Sequence, residues 1–145
     1  VMFKKILVPV DGSPTSLQAV SRAVALAKAF DGTVTAIYVI DPYPFTGVGT
    51  DFAYGQDQYL AAATAEAHDA IRVAREAIEA SGVEVDTRVV EAHAVWRGIL
   101  DAARDLEADV IVMGSHGRHG IEKLLGSVAQ RVLSHAHGPV MVVRD

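Results

Sequence analysis

Glycine and serine are concentrated between residues 113 and 132, in the stretch MGSHGRHGIEKLLGSVAQRV. This stretch continues an apolar run, DVIVM, that is typical of a buried strand. Gly114 and Gly117 allow the backbone to turn sharply and allow a ligand to approach main-chain N–H groups. Donors of this kind suit an anion such as phosphate.

The second half of the stretch has the features of a helix start. Ser127 is a good N-cap residue, Gln130 completes an S-x-x-Q capping box, and Gly126 leaves room directly before it. A helix N-terminus carries unpaired N–H groups and a partial positive charge, which together favour phosphate. Residues 114–117 and 126–128 therefore predict two sides of one polyphosphate site. A simple turn followed by a capped helix is the alternative reading of the same residues.

Other motifs with known chemistry are absent or incomplete. The sequence contains no P-loop, no G-x-G-x-x-G fingerprint after a strand, and no G-x-S-x-G elbow. The pairs His116 with His119 and His135 with His137 lack a third ligand at helpful spacing, so no metal site is predicted. His116 and Arg118 are better explained as phosphate contacts or as solvated loop side chains.

Composition restricts the class of protein. The 145 residues are half apolar, 21% charged and free of cysteine, which predicts one cytoplasmic domain over residues 1–145 without disulfides or thiol catalysis. A net charge of −5 argues against a nucleic-acid partner, and the apolar runs are too short for a membrane span.

Strand and helix patterns alternate along the chain. Strands are predicted at residues 4–10, 33–40, 83–90, 109–114 and 139–143, and helices at 14–30, 60–80, 95–106 and 128–136. Residues 41–58 are predicted to form a long loop, because prolines, glycines and aspartates recur there.

This alternation predicts an α/β fold: a doubly wound, five-stranded parallel sheet with helices on both faces. Strand 83–90 alternates apolar and polar residues as an edge strand does, and the strand order 3-2-1-4-5 is then natural. The order reverses between strands one and four, where sheets of this type bind ligands. The loops that leave these strands are DGS (11–13) and GSHG (114–117).

The chain resembles the universal stress protein family. The resemblance rests on KKILVPVDGSPTS, TAIYVID, DVIVMGSHGRHG and LLGSVAQRVLSHAHGPVMVV, and so extends nearly from end to end. Nucleotide-binding members carry G-x2-G-x9-G-(S/T). Here eight residues, one fewer, separate Gly117 from Gly126.

The resemblance implies an adenine nucleotide, ATP or AMP, with or without Mg²⁺, at the switch point. It implies that Val39 and Met113 flank the adenine and that Asp11 accepts a hydrogen bond from the ribose. The implied binding residues are Pro9, Val10, Asp11, Val39, Met113, Gly114, Ser115, Gly117, Gly126, Ser127 and Val128, and Arg118 is added as a candidate phosphate contact. Apart from the resemblance, Val39 and Met113 read as ordinary core, and Asp11 as a helix-start carboxylate.

Three functions compete. The first is an ATP- or AMP-binding regulatory protein of the stress response that is not primarily an enzyme. The second is a slow ATP hydrolase or phosphotransferase, which the lack of a recognisable base or catalytic lysine disfavours. The third is a nucleotide-free dimeric interaction module.

An apolar run ends the sequence. Strand 139–144 is an edge in the predicted order, and edges with apolar side chains are usually covered or paired. We therefore expect a homodimer through this strand, as the resemblance also implies. The alternative is a short solvated edge blunted by Arg144 and Asp145.

Overall fold

The computed structural model describes residues 3–42, 50–117 and 125–144, apart from the side chains of residues 50–54 and 56. Strands and helices alternate throughout these residues. The strands are β1 (Lys5–Pro9), β2 (Thr33–Ile40), β3 (Val85–Glu91), β4 (Val110–Gly114) and β5 (Val140–Val143). The helices are α1 (Pro14–Phe30), α2 (Thr50–Ala80), α3 (Val95–Leu106) and α4 (Ser127–His135).

The five strands form one parallel sheet. Its order is β3-β2-β1-β4-β5, which confirms the predicted order, and each neighbouring pair is parallel. The order reverses between β1 and β4, as predicted. Because helices connect parallel strands, each crossover carries its helix across one face of the sheet.

Two apolar layers enclose the sheet. Ile6, Val8 and Val10 face α1 and α2, whereas Leu7 points to the opposite face, where α3 and α4 pack. This alternation follows from the period of two along a strand. The helices contribute small residues to both layers, among them Ala23 and Ala129, so that they pack close to the sheet.

Helix α2 begins earlier than the sequence pattern predicts. The predicted loop 41–58 is wrong over its second part, because residues 50–58 belong to the helix. The turn-forming prolines and most of the glycines of this stretch precede residue 50, and only Gly55 lies within the helical part. Strong helix formers such as Ala53, Gln56 and Gln58 surround that glycine, and one glycine costs a helix only about 1 kcal/mol.

Other boundaries differ from the prediction by one or two residues. Strand β3 starts at Val85, because the Val83 N–H still donates to the Ile78 carbonyl at the end of α2 and the pairing with β2 begins at Val85. Among the described helices, none combines the length and the apolar character that crossing a membrane requires.

Candidate functional site

A crevice opens where β1 and β4 separate. Their register contains only the pairs Ile6 with Val110 and Leu7 with Ile111, whereas β1 stays paired with β2 through Pro9. Val10 donates its N–H to the Ile37 carbonyl of β2. Because backbone groups alternate in direction along a strand, those of Leu7 and Pro9 point the other way, toward β4. Proline has no N–H to donate. The ladder therefore stops after Leu7, and the carboxyl ends of β1 and β4 are left apart.

The loop after β1 turns directly into helix α1. Gly12 adopts φ of +84°, a left-handed conformation that glycine takes at little cost. Ser13 is the N-cap of α1, since its hydroxyl oxygen accepts from the Ser16 N–H at 3.2 Å. The Asp11 carboxylate accepts from the Ser13 N–H at 2.9 Å through Oδ1. This bond fixes the direction of the Asp11 side chain at the mouth of the crevice.

The loop after β4 packs against the start of α1. A Cβ added to Gly114 would lie 2.7 Å from Cγ2 of Thr15, so glycine is required there for packing. His116 Nε2 lies 3.3 Å from the Thr15 hydroxyl, which ties the two loops together. A Cβ at Gly117 would lie 2.7 Å from Oδ2 of Asp11. The Gly117 backbone and the Asp11 carboxylate therefore face each other across the crevice.

Helix α4 closes the crevice with its first turn. Its N-cap is Gly126, and no side chain caps it. The predicted capping box is wrong: Ser127 is the first helical residue, and the Gln130 side chain donates instead to the Leu125 carbonyl at 2.8 Å. The sequence pattern misplaced the cap by one residue because glycine also serves as an N-cap.

Gly126 brings the two glycine-containing segments into contact. Its N–H donates to the Ser115 carbonyl at 2.6 Å, and an added Cβ would lie 3.1 Å from Cα of His116. The first turn of α4 is thereby held beside the β4 loop. The N–H groups of its first residues have no partner within the helix and are available to a ligand.

These segments enclose one pocket of about 630 Å³. That volume lies within the usual range for small-molecule sites, about 300–1,000 Å³. The pocket brings together most of the residues that the sequence predicts for the site: Pro9, Val10, Asp11, Val39, Met113, Gly114, Gly117, Gly126, Ser127 and Val128.

Two predicted residues stand apart from this lining. Ser115 is 1% exposed, and its hydroxyl has no hydrogen-bond partner among the described residues. It contributes to the site through its backbone, which pairs with Gly126 and with Val143 of β5. Arg118 lies outside the described residues, as do His119 and the segment in which the glycine spacing is one residue short.

The sequence interpretation missed part of the wall. The further lining residues are Ser16, Tyr38, Val95, Ile99, His116, Leu125 and Ala129. Val95 and Ile99 follow the helical spacing of α3, which predicts that they are buried but not that they line a pocket. The predicted strand order could have identified them, because α3 begins at the same edge of the sheet as the crevice.

The pocket lining combines two kinds of chemistry. Val39, Ile99 and Met113, from three different elements, provide apolar surface. The start of α4 provides backbone N–H groups that have no partner within the helix. Asp11, Tyr38 and His116 are the ionisable side chains among the described lining residues. The arrangement suits a molecule that combines a flat apolar ring with an anionic group.

Comparison with known proteins relates the whole chain to one family. The sequence model of the universal stress protein family matches residues 2–144. A universal stress protein of Methanocaldococcus jannaschii is 40% identical over 144 residues, which is 99% of this chain and 83% of that protein. The solved structure of UspA from Lactobacillus plantarum superposes with a TM-score of 0.87 at 28% identity over 99% of both chains.

A further solved universal stress protein is a complex with cAMP. It is 25% identical to this chain, with a TM-score of 0.70, and the match covers 99% of this chain and 98% of that one. Family and fold are therefore shared along the entire length of the sequence.

Proposed function

The chain belongs to the universal stress protein family, and from that premise we propose that the pocket between β1 and β4 binds an adenine nucleotide. In this proposal the protein is a regulatory nucleotide-binding protein of the stress response, and ATP or AMP is the ligand, with Mg²⁺ where a triphosphate is bound. The cAMP complex of a related protein supports the choice of an adenine nucleotide.

The observation that carries the proposal is the polarity of the pocket. Val39, Ile99 and Met113 offer apolar surface for a purine, while the first turn of α4 offers N–H donors for phosphate. Oδ2 of Asp11 accepts no hydrogen bond from the described residues and faces Gly117, where a ribose hydroxyl would donate to it.

Each predicted residue has a part in this arrangement. Val39 and Met113 flank the adenine, and Pro9 and Val10 form the floor beside it. Asp11 binds the ribose. Ribose and phosphates are held by Gly114, Gly117, Arg118, Gly126, Ser127 and Val128, and Ser115 supports them through its backbone bond to Gly126.

The first test asks whether the purified protein carries a nucleotide and binds one. Mass analysis of material released by denaturation identifies a copurified nucleotide, and calorimetric titration with ATP, AMP and cAMP measures affinity. We expect Gly117→Val to weaken binding at least tenfold, because its side chain fills the space between the loop and Asp11.

Gly138→Val is the matched control. Nothing lies within 4 Å of a Cβ added to Gly138, which is remote from the pocket, so its affinity should equal that of the wild type. Unchanged ATP affinity in a folded Gly117→Val protein would contradict this site. Wild type that neither carries nor binds a nucleotide would favour the nucleotide-free interaction module.

A second test separates binding from catalysis. Among the described lining residues there is no lysine, and His116 is already engaged with Thr15. We therefore expect turnover far below an ordinary enzyme rate of about 1 per second. Sustained ATP hydrolysis near that rate, lost in Gly117→Val, would favour the hydrolase or phosphotransferase instead.

A further inference from the structure

An aromatic and cationic cluster lies on the outer surface of α3 and α4. Its members, here called the Trp96 cluster, are Trp96 and Arg97 of α3 with Arg131 and His135 of α4. The His135 ring stacks on the Trp96 ring with centroids 4.5 Å apart and 31° between their planes. Cζ of Arg97 lies 5.0 Å and Cζ of Arg131 5.9 Å from the indole centroid.

Neither arginine of the Trp96 cluster forms an ion pair within the described part of the chain. The carboxylates on α3, Asp101 and Asp105, pair instead with Arg104 further along the helix. Arg97 and Arg131 therefore lie at one place without a direct carboxylate partner, on a protein whose net charge is −5.

The guanidinium groups of Arg97 and Arg131 lie within cation–π range of the indole. A guanidinium carries its N–H donors in a planar fork. These N–H groups match a carboxylate with two parallel hydrogen bonds. Trp96 is half-buried between the two helices, and packing against it orients both arginines.

We propose that the Trp96 cluster is a docking surface for an acidic segment of a partner protein. Arg97 and Arg131 bind carboxylates of that segment, and Trp96 supplies a rigid apolar centre. Tryptophan and arginine are the residues that most often dominate the energy of protein interfaces. Charge complementarity favours this partner, because two arginines without an ion pair beside an aromatic ring suit clustered aspartate or glutamate.

Charge distribution favours a short acidic segment over nucleic acid. A polyanionic strand extends well beyond two arginines, and a surface with a net charge of −5 repels its remaining phosphates. A short peptide needs to contact the Trp96 cluster alone. The surface is also separate from the proposed nucleotide pocket, because none of its four members lines that pocket.

The experiment uses calorimetric titration of the whole protein with a short glutamate-rich peptide whose ends are acetylated and amidated. A second peptide carries glutamine at every glutamate position. We expect the glutamate peptide to bind with an affinity that falls as salt rises, and the glutamine peptide not to bind. The variant Arg97→Gln with Arg131→Gln should lose about tenfold in affinity, and Trp96→Ala should also bind more weakly.

Arg104→Gln is the matched control, since it removes a paired arginine from the same helix and should bind the glutamate peptide as the wild type does. Thermal unfolding of each variant verifies that it is folded. The proposal is overturned if the glutamate peptide does not bind at about 1 mM, or if Arg104→Gln loses as much as the double variant. It is equally overturned if a single-stranded oligonucleotide of the same length binds more tightly, or if the double variant alone abolishes self-association of the protein.

The result is independent of the nucleotide proposal. Gly117→Val, which is designed to block the pocket, should bind the glutamate peptide normally, so failure of one proposal leaves the other testable.

Discussion

Individual glycines decide how closely the walls of the pocket approach one another. At Gly114 an added Cβ would collide with Thr15, and at Gly126 it would press against the backbone of the β4 loop. Both positions therefore need glycine for packing as well as for any ligand. At Gly117 an added Cβ would instead meet the Asp11 carboxylate across the crevice, 2.7 Å from Oδ2. In the glycine pattern of residues 114–126, Gly114 and Gly126 are thus needed for packing, and Gly117 is the position at which a side chain would directly limit access of a ligand.

Gly98 has a similar role on the apolar side and was not among the predicted residues. It lies in the first turns of α3, where glycine is a poor helix former. An added Cβ would lie 2.7 Å from Cγ1 of Val39 and 2.9 Å from Cβ of Ala92. Spacing alone does not reveal this contact, because it depends on how α3 crosses the ends of β2 and β3.

We predict that Gly98→Ala destabilises the protein and weakens nucleotide binding. The better helix propensity of alanine is offset by overpacking against Val39, and overpacking costs about 1–3 kcal/mol. We expect a net fall of about 1 kcal/mol in the free energy of unfolding, measured in urea. Displacement of α3 also moves Val95 and Ile99, so ATP affinity should fall in calorimetry.

Gly138→Ala is the comparison for this prediction, because an added Cβ meets nothing there. If both glycine variants had the same stability and the same ATP affinity, the close packing of α3 on Val39 would be unimportant.

At the scale of elements, helices α1 and α4 begin in different ways. The Ser13 side chain caps α1 and is 4% exposed, whereas α4 begins at Gly126 without a side-chain cap. The sequence predicts both helices and most strand boundaries, because apolar periodicity and turn residues are local signals. It misplaces the α4 cap and the start of α2, since glycine caps and glycines inside helices produce the same local pattern as loops.

The two serines give opposite predictions. Ser13→Ala removes the acceptor for the Ser16 N–H and should lower the free energy of unfolding by about 1 kcal/mol. Ser127→Ala should change stability by less than about 0.5 kcal/mol, because the exposed Ser127 side chain caps nothing. Urea unfolding of both variants measures the difference. If both variants lost the same free energy of unfolding, Ser127 would act as a cap of α4 after all.

At the scale of the whole molecule, the sheet has one edge whose side chains are apolar. Strand β5 pairs with β4 on one side only, and Met141 is 38% exposed on it. Val143, on the same face of the strand as Met141, is buried in the core. The exposed part of this face is therefore at Met141. The strand order could be predicted, since it follows from the parallel crossovers and one half-exposed strand. The partner of the edge could not, because a single chain does not contain it.

We propose that a second copy pairs with β5 across a two-fold axis, within residues 139–144. Met141→Lys and Val142→Lys each place a charge in the paired strand and should shift the protein toward monomer in light scattering. Met141→Lys is the cleaner variant, since its side chain is exposed in the single chain.

Leu133→Lys is the control for this prediction. Leu133 is a 44% exposed apolar residue on α4 and not on β5, so the same change of charge outside the paired strand should leave the assembly intact. Wild type that is monomeric at tens of micromolar, or a dimer whose interface excludes residues 139–144, contradicts the proposal.

Trp96 also makes the protein its own optical reporter. It is the one tryptophan in the sequence, so all indole emission comes from the junction of α3 and α4. Trp96 stacks on His135 of the proposed docking surface, and Val95, which precedes Trp96 in the sequence, lines the pocket. The indole therefore lies next to both surfaces. Nucleotide entry would alter its wavelength from one side and an acidic segment from the other. Occupancy of the two surfaces can therefore be followed in the same cuvette without attaching a dye.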